Sequence, residues 1–313
     1  MGTGTQPAVA LARPADVQTK AEVDGAAALA EARRFSQLHV EVVRNATGDF
    51  NPFHDARRWL QVRRNPFGAP IVLGFQLEAM LVHAVARRWA QDGVADDLPY
   101  LSCRFTFVDA VRINELVLPE VKPTRVAREQ VANRVLLRKE GRAVVTGRVE
   151  CHRRRPAALG IDFRPPPGLE EQPDGARLAG GRFFLKRRVL QVSDAKNFLA
   201  GSQVPVAPYF DELESRVRFP ELYPLSLISS ALLEKAAQSG YDFLERPLVY
   251  AAHNFHIDRA LVAGLKDGAL LHILVEEVQG TDSGAACRHR CIGLLNGGRL
   301  LFVADARLAP LPD

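Results

Sequence analysis

Residues 47–54 read Thr47-Gly48-Asp49-Phe50-Asn51-Pro52-Phe53-His54, and a second segment follows at 66–74: Pro66-Phe67-Gly68-Ala69-Pro70-Ile71-Val72-Leu73-Gly74. Asp49 and His54 are five residues apart, which places their side chains on opposite faces of a strand and roughly 140° apart on a helix. Regular structure would separate them. Pro52 fixes its own φ and pushes Asn51 out of the α region, so a bend here can turn carboxylate and imidazole towards one point. Together they could hold, orient and deprotonate a water molecule. The same letters also describe an ordinary Asx-turn, with Asp49 capping a helix and His54 exposed. Spacing alone leaves both open.

Beyond these segments, Leu73, Leu77, Met80, Leu81, Ala84 and Val85 recur at three and four residues and predict an amphipathic helix over about 71–90. Strands are expected near 100–108, 115–122, 130–138 and 143–151. Residues 152–182 then carry Pro156, Pro165, Pro166, Pro167 and Pro173 with several glycines, which exclude a continuous helix or central strand and mark a linker. After it the same order returns: a polar segment, a helix near 225–239, and strands near 248–257, 269–278, 285–295 and 299–306. Each half closes on a hairpin with an easily made turn, Lys139-Glu140-Gly141-Arg142 in one and Asn296-Gly297-Gly298 in the other. The expectation is an α+β chain built from two copies of one unit, each a long helix on an antiparallel sheet. The boundaries fall at 1–34 (a tail, with a short helix near 26–34), 35–151, 152–182 (linker) and 183–313.

The 313 residues, 47% of them apolar, suffice for two ordinary cores, and 41 Lys and Arg against 36 Asp and Glu give only a mild positive excess. Charged or polar residues interrupt every apolar run before the ~18 positions that a membrane helix needs, so no membrane association is expected. The basic clusters lack interleaved aromatics, which argues against nucleic acid. Cys103, Cys151, Cys287 and Cys291 are too sparse for a disulfide framework and form no CxxC pair, which fits a reducing cytoplasm. Residues 1–30 do not read as a signal peptide. Cys287, His289 and Cys291 alternate along a strand and span too far to close around one zinc, so no metal is expected. His83, His253 and His256 are expected in packing or hydrogen bonding, with His256 available to the second half's pocket. No glycine-rich phosphate loop follows a strand, so a nucleotide cofactor has no support.

The two segments, in order and separation, resemble the signature of MaoC-like hotdog proteins, chiefly the (R)-specific 2-enoyl-CoA hydratases. The resemblance covers residues 35–151 well and the remainder as architecture. It implies a tandem (double) hotdog fold and a hydro-lyase acting on 2-enoyl thioesters, with no cofactor beyond coenzyme A or an acyl carrier protein bearing the substrate. A homodimer is compatible with it. By the same resemblance Asp49 and His54 activate water, Asn51 supports the bend, and the Gly74 N–H polarises the thioester carbonyl; Arg63 and Arg64 are candidate contacts to the carrier's phosphates. Three departures stand out: Leu73 where the family usually has His, Asp55 directly after His54 rather than an acidic residue two positions on, and Val82-His83 where a serine is common. Some hotdog thioesterases use a helix carboxylate, which makes Glu78 the marker of a hydrolase alternative, and a non-catalytic acyl-thioester-binding protein is the third. Aligned without gaps, residues 201–207 fall on 48–54, so that Ser202, Val204 and Ala207 replace Asp49, Asn51 and His54, and Leu227 or Ile228 stands for Gly74. The second half would then keep the shape and lose the chemistry.

Overall fold

The computed structural model describes residues 32–94, 97–160, 163–278 and 287–311. The tail at 1–31, with most of the short helix expected near 26–34, lies outside the described residues; Arg33–Arg34 form an edge strand, β1, instead. The first half continues with α1 (Gln37–Thr47), α2 (Gly74–Gln91), β2 (Tyr100–Phe107), β3 (Leu116–Val121), β4 (Arg125–Ala127), β5 (Gln130–Lys139) and β6 (Arg142–His152). The second comprises β7 (Arg177–Leu178), β8 (Phe183–Leu190), α3 (Val192–Gly201), β9 (Phe210–Asp211), β10 (Arg216–Val217), α4 (Leu222–Ser226), α5 (Ile228–Gln238), β11 (Leu248–Asp258), α6 (Arg259–Ala263), β12 (Ala269–Val278), β13 (Cys287–Leu295) and β14 (Arg299–Pro310).

One antiparallel sheet runs β1-β3-β5-β6-β2-β11-β14-β13-β12-β8-β7, with β4 on β5 and a separate β9–β10 hairpin. Outward from the central β2–β11 pair the two halves repeat one order, first strand after the long helix, then last, then the hairpin partner, then the outer strands. This is the double hotdog arrangement. The two hairpins turn as their residues predict, with Glu140 and Gly141 at φ 49° and 80° and Asn296 and Gly297 at 47° and 71°. Alternation decides which face is buried: Leu101, Cys103 and Phe105 of β2 enter the core that α2 covers with Leu77, Leu81 and Val85, while Arg104 and Thr106 face outward.

Two features differ from expectation. The polar segments before each long helix are themselves helices, α1 and α3, packed against each other. The second long helix is interrupted at Leu227, leaving α4 and α5. Within the linker, Leu169 and Leu178 are buried with Phe183, Leu185, Leu274, Ile292 and Leu294 on the second half's sheet.

The α1–α3 contact is close enough that a Cβ on Gly201 would stand 2.5 Å from Val43 Cγ2 and 2.7 Å from the His39 carbonyl. Gln76, fully buried in the first turn of α2, bridges this contact: its Nε2 donates to the carbonyls of His39 (3.1 Å) and Gly201 (2.8 Å), while its Oε1 accepts the Leu73 N–H at 3.1 Å. One side chain thereby fixes the start of α2 against both shorter helices. Gln76→Met removes all three bonds and strands buried backbone groups, so chemical denaturation should show a loss of about 3 kcal/mol with an unchanged m-value.

Candidate functional site

The bend at residues 48–54 is assembled by local hydrogen bonds. Gly48 ends α1 in the left-handed region (φ 69°, ψ 25°). The Asp49 Oδ1 accepts the Asn51 N–H at 2.9 Å and the Asn51 Oδ1 accepts the Phe53 N–H at 3.2 Å, starting a single 3₁₀ turn over Pro52–His54. The Asx-turn is thus real, but His54 is only 6% exposed and Asp49 5%, so the turn delivers both groups inward. The second segment then closes on the first. The Ile71 N–H donates to the Phe53 carbonyl at 3.1 Å, and His54 Nδ1 donates to the Ile71 carbonyl at 2.8 Å. Three residues on, the chain enters α2 at Gly74.

That second bond sets the chemistry of the imidazole. With Nδ1–H given to Ile71, the neutral ring presents Nε2 as an acceptor. Burial pushes the His54 pKa below the ordinary histidine value, outweighing the nearby Asp49 carboxylate and the Ile71 carbonyl, which both pull it up. At neutral pH the ring is therefore an uncharged base beside a buried carboxylate.

Two cavities meet here. The first, about 230 Å³, is lined by His54, Gly74, Leu77, Phe107, Val111 and Tyr250 among others. The second, about 370 Å³, lies against α5 and is lined by Asp49, Leu232, Tyr241, Phe243, His289 and Tyr250 among others. Asn51 and Tyr250 line both. The bend therefore stands at their junction. The first helical amide of α2 has no partner within the helix and carries the positive end of its dipole, so the Gly74 N–H is suited to an oxygen that gains negative charge. A Cβ on Gly74 would come 2.9 Å from the Phe107 ring, which accounts for glycine at this position.

Sequence reasoning missed Tyr250. The residue belongs to the second half, where an extra residue, Ala251, breaks the β11–β14 register. Such a bulge re-aims its neighbours, and the Tyr250 hydroxyl meets Ser229 Oγ at 2.9 Å. Glu78 is placed differently from the hydrolase expectation. It is fully buried, lines neither cavity, and bonds His253 Nδ1 at 2.7 Å; burial raises its pKa despite the imidazole. Arg63 pairs with Glu245 at 2.8 Å and, with Arg64 and Arg246, borders a surface groove that shares Tyr241 and Leu248 with the second cavity and its neighbourhood. Asp55 holds the backbone of Arg57 and Arg58 and pairs with Arg44. His256 bonds Ser102 at 2.7 Å.

The alignment of the halves also needs correcting by two residues. The Asp49 N–H donates to the Arg44 carbonyl and the His54 N–H to that of Asn51; in the second half the Val204 N–H donates to Leu199 and the Tyr209 N–H to Val206. The left-handed residue is Gly48 in one half and Gln203 in the other. Val204, Val206 and Tyr209, rather than Ser202, Val204 and Ala207, therefore occupy the places of Asp49, Asn51 and His54. A carboxylate and an imidazole are missing from the second bend under either alignment.

No protein-family model and no curated protein matches the chain. Solved structures do. A MaoC-like dehydratase is 12% identical over 89% of this chain and 95% of its own, with a TM-score of 0.59. A conserved hypothetical protein of Mycobacterium tuberculosis with a double hotdog fold is 12% identical over 90% and 94%, with a TM-score of 0.53. A protein from Lactobacillus plantarum described as an oleoyl thioesterase is 8% identical over 90% and 96%, with a TM-score of 0.51. At such identities the likeness is one of fold: the chain is a double hotdog protein, an architecture shared by dehydratases and thioesterases. Among the described residues no helix is long and apolar enough to cross a membrane.

Because the folded-state pKa of His54 lies below that of the unfolded chain, the unfolded chain takes up the proton first as pH falls below about 6.5. Stability from this residue is intact above that pH and is lost as pH falls towards the folded value. In an NMR titration the His54 ring should titrate below the ordinary range, and Asp49→Asn, which removes the carboxylate that raises its pKa, should move the midpoint lower still.

Proposed function

We propose that the protein is a hydro-lyase that adds water across a 2-enoyl thioester, or removes it from the (R)-3-hydroxyacyl form. The observation that supports this most is that one bend, at the junction of two cavities, presents a buried carboxylate to the second and, to the first, a neutral imidazole whose Nδ1–H is committed to the Ile71 carbonyl and which shares that cavity with the N-terminus of α2.

In this mechanism a water molecule sits between Asp49 and His54 Nε2. His54 accepts one of its protons as the oxygen bonds to C3 of the substrate. The electron pair of the double bond moves onto the thioester carbonyl, whose oxygen takes up charge near the Gly74 N–H. Collapse of this enolate takes a proton at C2 from the His54 and Asp49 pair, so that one water is added in all and the enzyme recovers its starting protonation. Asn51 holds the bend, and Tyr250 closes the wall between the cavities. Arg63 and Arg64, with Arg246, stand where the phosphates of coenzyme A or of a carrier protein's prosthetic arm would enter.

The hydrolase alternative relied on Glu78, which lines neither cavity, so the dyad gives the better-supported chemistry. General acid–base groups contribute about 10²–10⁴-fold. His54→Ala and Asp49→Asn should each lower crotonyl-CoA hydration by that order, read from the loss of enoyl absorbance, without release of free thiol. Wild-type rates in either variant, or thiol release by the unaltered protein without consumption of the enoyl group, would refute the assignment.

A further inference from the structure

A single row of side chains crosses the outer face of the sheet from one half to the other. Arg134 on β5 stands directly opposite Arg148 on β6, and Arg148 opposite Arg104 on β2. The row continues through Asn254 to Asp305, Arg290 and Glu276 on the second half's strands. Residues directly opposed on neighbouring antiparallel strands project from the same face about 5 Å apart, where opposite charges attract and like charges repel. In the second half the signs alternate and are used: Arg290 pairs with Asp305 at 3.3 Å and Arg182 with Glu276 at 2.6 Å. The first half instead places three guanidinium groups side by side.

Lys122, Arg125 and Arg138 join these three around one depression of about 660 Å³. Glu120 pairs with Lys122 and Arg138, and Glu150 with Arg148. Arg104, Arg125 and Arg134 have no carboxylate partner among the described residues. The uncompensated charge is felt nearby, since Arg104 adds to burial in holding down the pKa of His256. Such a row costs stability in the absence of an anion.

We propose that this depression is a binding site for a compact polyphosphate anion, separate from the cavities that meet at Asp49 and His54. Six cations, the three of the row and Lys122, Arg125 and Arg138 beside it, line one volume, which suits several charges concentrated in a small ligand better than an extended strand or helix. Arginine forks match phosphate oxygens two at a time. The volume falls within the roughly 300–1,000 Å³ of small-ligand sites. Among the described residues no aromatic ring lines it, so phosphate groups rather than a base would be recognised.

The test uses the full chain and inorganic tripolyphosphate, followed by calorimetry and by thermal unfolding at two salt concentrations. Saturable binding at one site should raise the unfolding temperature and weaken as salt is added. The double variant Arg104→Gln/Arg134→Gln, both exposed positions, should bind at least tenfold more weakly and yet unfold at a higher temperature than the wild type without ligand, because a repulsion has been removed. Arg63→Gln/Arg64→Gln, at the other basic groove, should leave tripolyphosphate binding intact. Absence of saturable binding, loss of binding in the Arg63/Arg64 variant instead, or tighter binding of an acidic polyglutamate peptide than of tripolyphosphate would each overturn the proposal.

Discussion

The hydrogen bond from His54 Nδ1 to the Ile71 carbonyl, 2.8 Å long, joins the two segments on which the site depends. It is local chemistry with distant consequences. It fixes the tautomer of the only imidazole at the bend and keeps a donor from being buried unpaired. With the Ile71 N–H on the Phe53 carbonyl, it also sets how far the start of α2 stands from that imidazole. Between Ile71 and Gly74 only Val72 and Leu73 intervene, both buried. The ring and the helix N-terminus are therefore positioned by one short, well-packed stretch. Leu73 fits this role, because what its position requires is an apolar contact and a backbone N–H for Gln76.

Repetition of the fold without repetition of the chemistry is the second constraint. The second bend keeps two backbone hydrogen bonds of the first, those of the residues at 49 and 54, while valine and tyrosine stand where the polar groups would be. A degenerate half still does structural work at the site: β11 supplies Tyr250, and α5 walls the second cavity. Symmetry of the backbone and asymmetry of the side chains coexist because strand pairing depends on main-chain groups, which leaves the side chains at the bend free to differ.

Much of this architecture was legible in the residues. Alternation over 100–107 and 130–139 and the three-and-four spacing of Leu73 to Val85 are strong periodic signals, and the glycines at 141 and 297 mark turns that need φ > 0. The helix α1 was also written in the chain, in Ser36 as N-cap and Gly48 as the residue after the last turn, but its mean polarity hid a stripe of Val40, Val43 and Ala46. Tyr250 was not legible. Its position depends on a one-residue bulge and on a fold that brings residues 250 and 49 together across about 200 positions of sequence. The two-residue shift between the halves was invisible for a related reason: identical Gly and Pro letters drew the alignment, while left-handed geometry at Gln203 has no glycine to announce it.

Glu78 and His253 show how firmly the halves are coupled. The carboxylate comes from α2 of the first half and the imidazole from β11 of the second, and both are buried, with Glu78 Oε2 and His253 Nε2 left without a partner among the described residues. Burying two polar groups incompletely satisfied is costly, and removing either would leave the other worse placed. Phe75 stacks on the imidazole at 4.8 Å, with Phe107 at 5.4 Å and Tyr250 at 4.2 Å edge-on. Phe107 is the ring that lies against Gly74, and Tyr250 is the residue shared by both cavities. The pair thus sits directly behind the walls of the site and ties the helix that carries Gly74 to the strand that carries Tyr250. A single half, even folded, would lack one wall, because Gly74 comes from the first half and Tyr250 from the second.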